Sequence, residues 1–181
     1  MLNPSEISDS DLVNYCLKNK RQYQELLYRR YADQMFTLAC TYTKDDDEAC
    51  DVLQEGFVKV FRKLNTYKHE NPLGAWIRRI IINTALEHYR KKQRGKEVIA
   101  DYVKDVDYTI ENIISSLNAD EIIYAVNQLP SKAGMVLKLY SIEGYSHKEI
   151  ADNLQISEGT SKSQLNRARS LLKAFIDKRN G

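Results

Sequence analysis

The sequence predicts an all-α protein made of two small helical domains joined by a flexible acidic linker. The 181 residues include only 7 Gly and 3 Pro among long runs of helix formers. Apolar side chains return every three or four positions over most of the chain. Near the C-terminus two helix N-cap signatures, Ser146 with Glu149 and then Ser157, follow one another closely. At 43% hydrophobic residues, the chain has enough apolar surface for folded cores.

The first domain is expected over residues 1–94. Asp9 or Ser10 is placed to cap a helix bearing Leu12, Val13, Cys16 and Leu17, and a second helix is expected over residues 23–42 through Leu26, Leu27, Tyr31, Met35, Phe36 and Ala39. The acidic run Asp45, Asp46, Asp47 and Glu48 suits a helix N-terminus, where negative charge meets the positive end of the macrodipole. In the helix that follows, at about 100° per residue, Ala49, Val52, Leu53, Phe57, Val60, Phe61 and Leu64 share one broad arc. Asp51, Gln54, Glu55, Val58 and Arg62 gather opposite. That face is either a solvated surface with one stray Val or a docking face.

Residues 67–73 read as a loop, because Asn71-Pro72 discourages helix and Gly74 is permissive. A helix is expected over residues 75–92, with Ile77, Ile81, Ile82, Ala85 and Tyr89 inward. Trp76, Arg79, Asn83, Glu87 and Arg90 form another stripe. Aromatic and arginine side chains together suit unpaired bases and their phosphates, stacking contributing about 1–3 kcal/mol per base. A half-buried core Trp beside surface arginines would give the same pattern.

Net charge is +2, but the charges are segregated. Arg78, Arg79, Arg90, Lys91, Lys92, Arg94 and Lys96 are opposed only by Glu87. Glu97, Asp101, Asp105, Asp107, Glu111, Asp120 and Glu121 then follow with Lys104 alone between them. Residues 95–118 therefore read as a polar, acidic connector with weak helical period.

The second domain is expected over residues 119–181, opening with Ile122, Ile123, Ala125, Val126 and Leu129 before Pro130. A helix over residues 132–142 leads through Glu143-Gly144 into a helix-turn-helix. Ser146 caps its first helix, with Ile150, Ala151 and Leu154 inward. Ser157 caps the second, which offers Thr160, Lys162, Ser163, Asn166 and Arg167 near its start and is held by Leu165, Ala168, Leu171, Leu172 and Phe175. That unit points to duplex DNA.

Other chemistry is not indicated. Cys16, Cys40 and Cys50 are odd in number, lack CxxC spacing and sit in apolar-periodic segments, as expected of buried free thiols in a reducing cytoplasm. His69, His88 and His147 show no ligand spacing, so neither a metal nor another cofactor is expected. No nucleophile-base constellation suggests an enzyme, and no signal peptide or membrane span is evident.

Together, YQELLYRRYADQMF, DDDEACDVLQEGFVKVF and AWIRRIIINTALEHYRKKQR resemble region 2 of bacterial extracytoplasmic-function sigma factors, small sigma-70-type subunits of RNA polymerase. VNQLPSKAGMVLKLYSIEGYSHKEIADNLQISEGTSKSQLNRARSLL resembles their region 4. The resemblance implies that Asp51, Gln54, Glu55 and Val58 dock on the β′ clamp helices of the core polymerase, and that region 4 also meets the β flap. It implies that Tyr67, Trp76, Arg79, Asn83 and Arg90 hold the melted non-template strand of the −10 promoter element, with Tyr67 and Asn83 at a flipped base. Holding a base outside the stack offsets the few kcal/mol of unstacking. It implies that Thr160, Lys162, Ser163, Gln164, Asn166 and Arg167 meet the −35 element. Ser161 and Gln164 depart from the family pattern TVKSRLxRAR, and Gln164 either reads an adenine edge or is solvated. The resemblance further implies an anti-sigma partner, no small-molecule substrate and no membrane insertion. A stand-alone helix-turn-helix regulator is the alternative from another class, with the first block serving dimerisation or sensing.

In the family the linker threads the polymerase cleft, so the acidic residues here either occupy a positively charged channel ahead of RNA or are simply solvated. Replacing Asp101, Asp105 and Asp107 with Asn is expected to change polymerase affinity or the yield of abortive transcripts, and no change in either would discard the idea.

Overall fold

The computed structural model describes residues 7–93, 125–126 and 128–180. Helices α1 (Asp9–Leu17), α2 (Arg21–Cys40), α3 (Asp46–Lys63) and α4 (Leu73–Gln93) form the first unit, with a 3₁₀ turn at Leu64–Thr66. In the second unit α5 (Ser131–Leu137) runs into a π turn (Lys138–Ile142), followed by α6 (His147–Leu154) and α7 (Glu158–Asn180). There is no strand among the described residues. The chain divides between Lys96 and Glu97. The acidic connector, with Asp101, Asp105 and Asp107, and the apolar residues Ile122 and Ile123 lie outside the described residues.

Ser8, not Asp9 or Ser10, caps α1: its hydroxyl accepts the Asp11 N–H at 3.1 Å. Asp9 is drawn away. Its carboxylate accepts from Arg30 at 2.6 Å and from the Tyr31 hydroxyl at 2.7 Å, tying α1 to α2. Arg30 also donates to the carbonyl of Ile7 at 2.8 Å, so an ion pair is reinforced by a backbone contact.

Asp45 caps α3 by accepting the Glu48 N–H at 2.9 Å, and three acids follow in the first turn. The apolar arc does become core, with Ala49, Val52, Leu53, Phe57 and Val60 buried against α2 and α4. Phe61 is only half-buried at the edge of that arc. At Gly56 the two helices pack with no room for a side chain, because a Cβ there would collide with the Ile81 side chain on α4. Gly74 plays a similar part beneath Tyr31, where a Cβ would stand 3.0 Å from the ring.

Leu73 opens α4 instead of closing the preceding loop, and it is buried. The Pro72 carbonyl accepts the N–H groups of Ala75 and Trp76, so the helix begins directly after a residue that could not have continued one from before. The cysteines also depart from expectation. Cys16 is buried, and desolvation pushes its thiol up to about 11, but Cys40 is half-buried and Cys50 exposed. Cys40 ends α2, and Cys50 falls just outside the arc that Ala49 begins.

In the second unit the helix expected over residues 132–142 changes winding after Leu137. The wider turn buries Leu139 while leaving Tyr140 and Ile142 exposed, and the Leu139 carbonyl accepts the Tyr145 N–H at 3.0 Å. Gly144, at φ 71°, completes the reversal.

Gly56→Leu is expected to destabilise the first unit by roughly 1–3 kcal/mol, because the added side chain overpacks a seam whose far wall is the buried Ile81. Urea unfolding followed by circular dichroism checks this, and an unchanged midpoint would show that the seam can open.

Candidate nucleic-acid and polymerase interface

Helices α3 and α4 run antiparallel, which lays a polar network along their seam. Near one end Lys92 pairs with Glu48 at 2.7 Å. Further along, the His88 Nε2–H donates to Glu55 at 2.7 Å, and Lys59 bonds Glu55 at 2.9 Å, Glu87 at 2.8 Å and the buried Thr84 hydroxyl at 3.3 Å. The hydrogen bond from His88, then that from Lys59, holds the Glu55 carboxyl down at about 2 despite partial desolvation.

Of the residues expected on the outer face of α3, Asp51, Gln54 and Val58 are exposed, Val58 at 48%. An aliphatic side chain so open among acids and an amide is suited to being covered. Glu55 differs: it is half-buried and already engaged by His88 and Lys59, so it braces the face from its α4 side.

On α4, Arg79 is exposed while Trp76, Asn83 and Arg90 are half-buried. The Tyr67 and Trp76 rings lie 5.4 Å apart, and His69 sits 4.5 Å from Tyr67. The Tyr67 hydroxyl donates to the Asn71 carbonyl at 2.6 Å, which closes the loop on itself, and His69 occupies the left-handed region at φ 58°. The structure thus brings Tyr67, His69 and Trp76 together at the head of α4. Asn83 lies about two turns further along the same stripe. Glu87, the acid in that stripe, is paired with Lys59, which offsets part of its negative charge while also serving Glu55.

The helix-turn-helix is capped at both starts. Ser146 and Glu149 form a reciprocal capping box, and Ser157 accepts the Thr160 N–H at 3.0 Å. Gln155 takes the left-handed conformation at φ 55° to turn the chain between the helices. Lys162 is exposed, and Thr160, Ser163, Gln164, Asn166 and Arg167 are half-buried. The Thr160 hydroxyl shares a bond with Ser157 at 2.8 Å, and Ser163 donates to the Thr160 carbonyl at 3.0 Å, so both first serve the helix start. Ser161 is wholly buried, which removes it from any groove contact.

Sequence reasoning missed the cross-helix partners His88 and Lys59, and also His69 and His147. Only Glu55 and Lys59, four apart on one helix, carried a local signal. The described residues contain no group of His, Cys, Asp and Glu able to hold a metal ion, and no helix long and apolar enough to cross a membrane.

Two family models match the chain, Sigma-70 region 2 over residues 27–95 and Sigma-70, region 4 over residues 119–172. Both describe parts of one class of RNA polymerase subunit. The chain is 31% identical over 176 residues to the RNA polymerase sigma-H factor of Pseudomonas aeruginosa, covering 91% of each protein. It is 27% identical over 184 residues to the ECF RNA polymerase sigma-E factor of Haemophilus influenzae, covering 94% of this chain and 96% of that protein. Two solved structures share the fold at a TM-score of 0.50: CnrH in complex with the cytosolic domain of CnrY, at 20% identity over 94% of this chain and 97% of the other, and the Bartonella quintana sigma factor RpoE in complex with the anti-sigma factor NepR, at 24% over 87% and 98%. The chain belongs to the extracytoplasmic-function group of sigma-70-family factors and directs transcription initiation, with core RNA polymerase and promoter DNA as its partners. A stand-alone regulator is not favoured.

The depressed Glu55 carboxyl sets a pH dependence. Its contribution to stability is fully present above the ordinary value of 4.5 and is lost as pH falls through about 2. The stability difference between the native chain and Glu55→Gln should therefore shrink between pH 4.5 and 2 in urea titrations, and a constant difference would mean that the His88 and Lys59 bonds do not form in solution.

Proposed function

We propose that the three surfaces divide the work of initiation. Asp51, Gln54, Glu55 and Val58 on α3 dock on the β′ clamp helices. Tyr67, Trp76, Arg79, Asn83 and Arg90 capture the non-template strand of the −10 element. Thr160, Lys162, Ser163, Gln164, Asn166 and Arg167 on α7 meet the −35 element, their phosphate contacts fixing register and their base contacts giving preference. The domains are bounded at 1–94 and 119–181, with 95–118 as linker, and the second domain also meets the β flap. The protein acts in the cytoplasm as a non-catalytic subunit without a cofactor. Because the RpoE structure of the same fold contains an anti-sigma factor, a partner of that kind is proposed here too.

The observation that carries this reading is the head of α4. Tyr67 and Trp76 present paired aromatic rings 5.4 Å apart at one end of a stripe that continues through Arg79 and Asn83. Lys59 on the neighbouring helix pairs with the acid in that stripe and offsets part of its charge. Stacked bases gain about 1–3 kcal/mol each on such a platform, comparable with the few kcal/mol that unstacking costs. Melting then needs no nucleotide hydrolysis.

The test is transcription with reconstituted core polymerase on a genomic promoter library at one stated ionic strength, because phosphate-dominated binding falls steeply with salt. Start sites should share spaced −35 and −10 motifs and appear only when core is present. Trp76→Ala should reduce open complexes roughly 5- to 150-fold, the loss of one stacked base, without changing core affinity, whereas Asp51→Ala with Gln54→Ala should weaken core binding. Specific, regulatory binding to duplex DNA in the absence of core would overturn the reading.

A further inference from the structure

The reading end of α7 is anchored in an unusual way. Of residues 158–164, only Ser161 is buried; the remaining six are exposed or half-buried. The stripe continues through Leu165, Ala168 and Ile176, all buried and apolar. A hydroxyl in that stripe is costly unless it is hydrogen-bonded. The partner is His147 at the start of α6, whose Nδ1 lies 2.9 Å from the Ser161 Oγ.

His147 is itself held in place. Its ring stacks on Tyr140 of the π turn at 4.6 Å with 20° between the planes. Desolvation and the neighbouring cations Lys162 and Arg169 lower its pKa from the ordinary 6.5, Glu158 opposing them, so the imidazole is neutral at pH 7. A neutral ring adds no charge to the groove side. What it adds is position.

We propose that His147 is a positioning residue for −35 recognition: through Ser161, and braced by Tyr140, it fixes the rotation of the reading end of α7 about its axis. At about 100° per residue Lys162 and Gln164 flank Ser161 on opposite edges of the buried stripe. A roll of a few tens of degrees would move one toward the DNA and the other away from it. The pair therefore selects which side chains reach base edges, without touching DNA itself. It also accounts for Ser161 where the family pattern has Val: a polar partner on α6 goes with a polar residue on α7.

This inference rests on the assignment of α7 to the −35 element, and the test separates the two. Holoenzyme assembled from core polymerase and the full chain is challenged with a promoter library randomised across the −35 element at fixed salt. His147→Ala and Ser161→Ala should each change discrimination among −35 sequences about three- to tenfold, the span of one net hydrogen bond. The double substitution should change it no further than either single one. His147→Asn, whose amide can occupy the Nδ1 position, should restore most of the preference. Uniform weakening across all −35 sequences, additive effects, or failure of the Asn variant to rescue would overturn the proposal. Should His147→Ala not fold, Ser161→Val carries the test, with altered discrimination expected and unaltered discrimination overturning it. Lys162→Ala and Gln164→Ala serve as controls: if they alter −35 binding while the His147 and Ser161 variants do not, the positioning role alone fails. If neither control has any effect, the assignment of α7 to the −35 element fails and the positioning role falls with it.

Discussion

The α3–α4 seam is the constraint on which the first unit depends. Gly56 lets the two helices approach until Ile81 fills the space that a Cβ would take. At that separation short polar bonds can cross, from Lys92 to Glu48, from His88 to Glu55 and from Lys59 to Glu87. Overpacking and the loss of a charged partner are different physical faults, yet both would act on this seam. The surface proposed for polymerase lies on one side of it and the surface proposed for single-stranded DNA on the other. Neither can shift far without disturbing the ions that join them.

Those ions also divide the charge. Lys59 lies between two carboxylates, each with a different task. Toward Glu55 it braces the α3 face, and toward Glu87 it offsets part of the negative charge on the α4 stripe. At a partly exposed site such pairs contribute modestly to stability. Their larger consequence is for the field along the α4 stripe, which also carries Arg79 and Arg90 and is the surface proposed to attract DNA. In the second unit the analogous economy is a neutral pair, His147 with Ser161, beside the cations Lys162 and Arg169.

Local chemistry made much of this legible in the sequence. Capping at Ser146 and Ser157 depends on neighbours three residues away, and both caps form as expected, while the acidic run at Asp45 does open a helix. The apolar arc of α3 was likewise readable, because helical spacing alone decides which side chains share a face. Long-range partners were not. His88 and Glu55 are 33 residues apart, His147 carried no ligand spacing, and Asp9, one of two cap candidates with Ser10, is claimed by Arg30 and Tyr31 instead. Cys50 looked core-like beside Ala49 but falls just beyond the buried arc. Ser161 stood out as a departure in the recognition helix, yet only the fold reveals that it faces inward. The regions were recognisable from DDDEACDVLQEGFVKVF and AWIRRIIINTALEHYRKKQR together with the helix-turn-helix, whereas the ion pairs that tune them needed three dimensions.

The central claim is that the seam sets the charge of the surface proposed to hold the strand, and permanganate reactivity of unpaired thymines in the −10 element tests it most directly. Holoenzyme carrying Lys59→Met, which leaves Glu87 without its cation, should show reduced reactivity, and Lys59→Met combined with Glu87→Gln should recover it. Undiminished reactivity in the single variant, or a double variant no better than the single, would contradict the account.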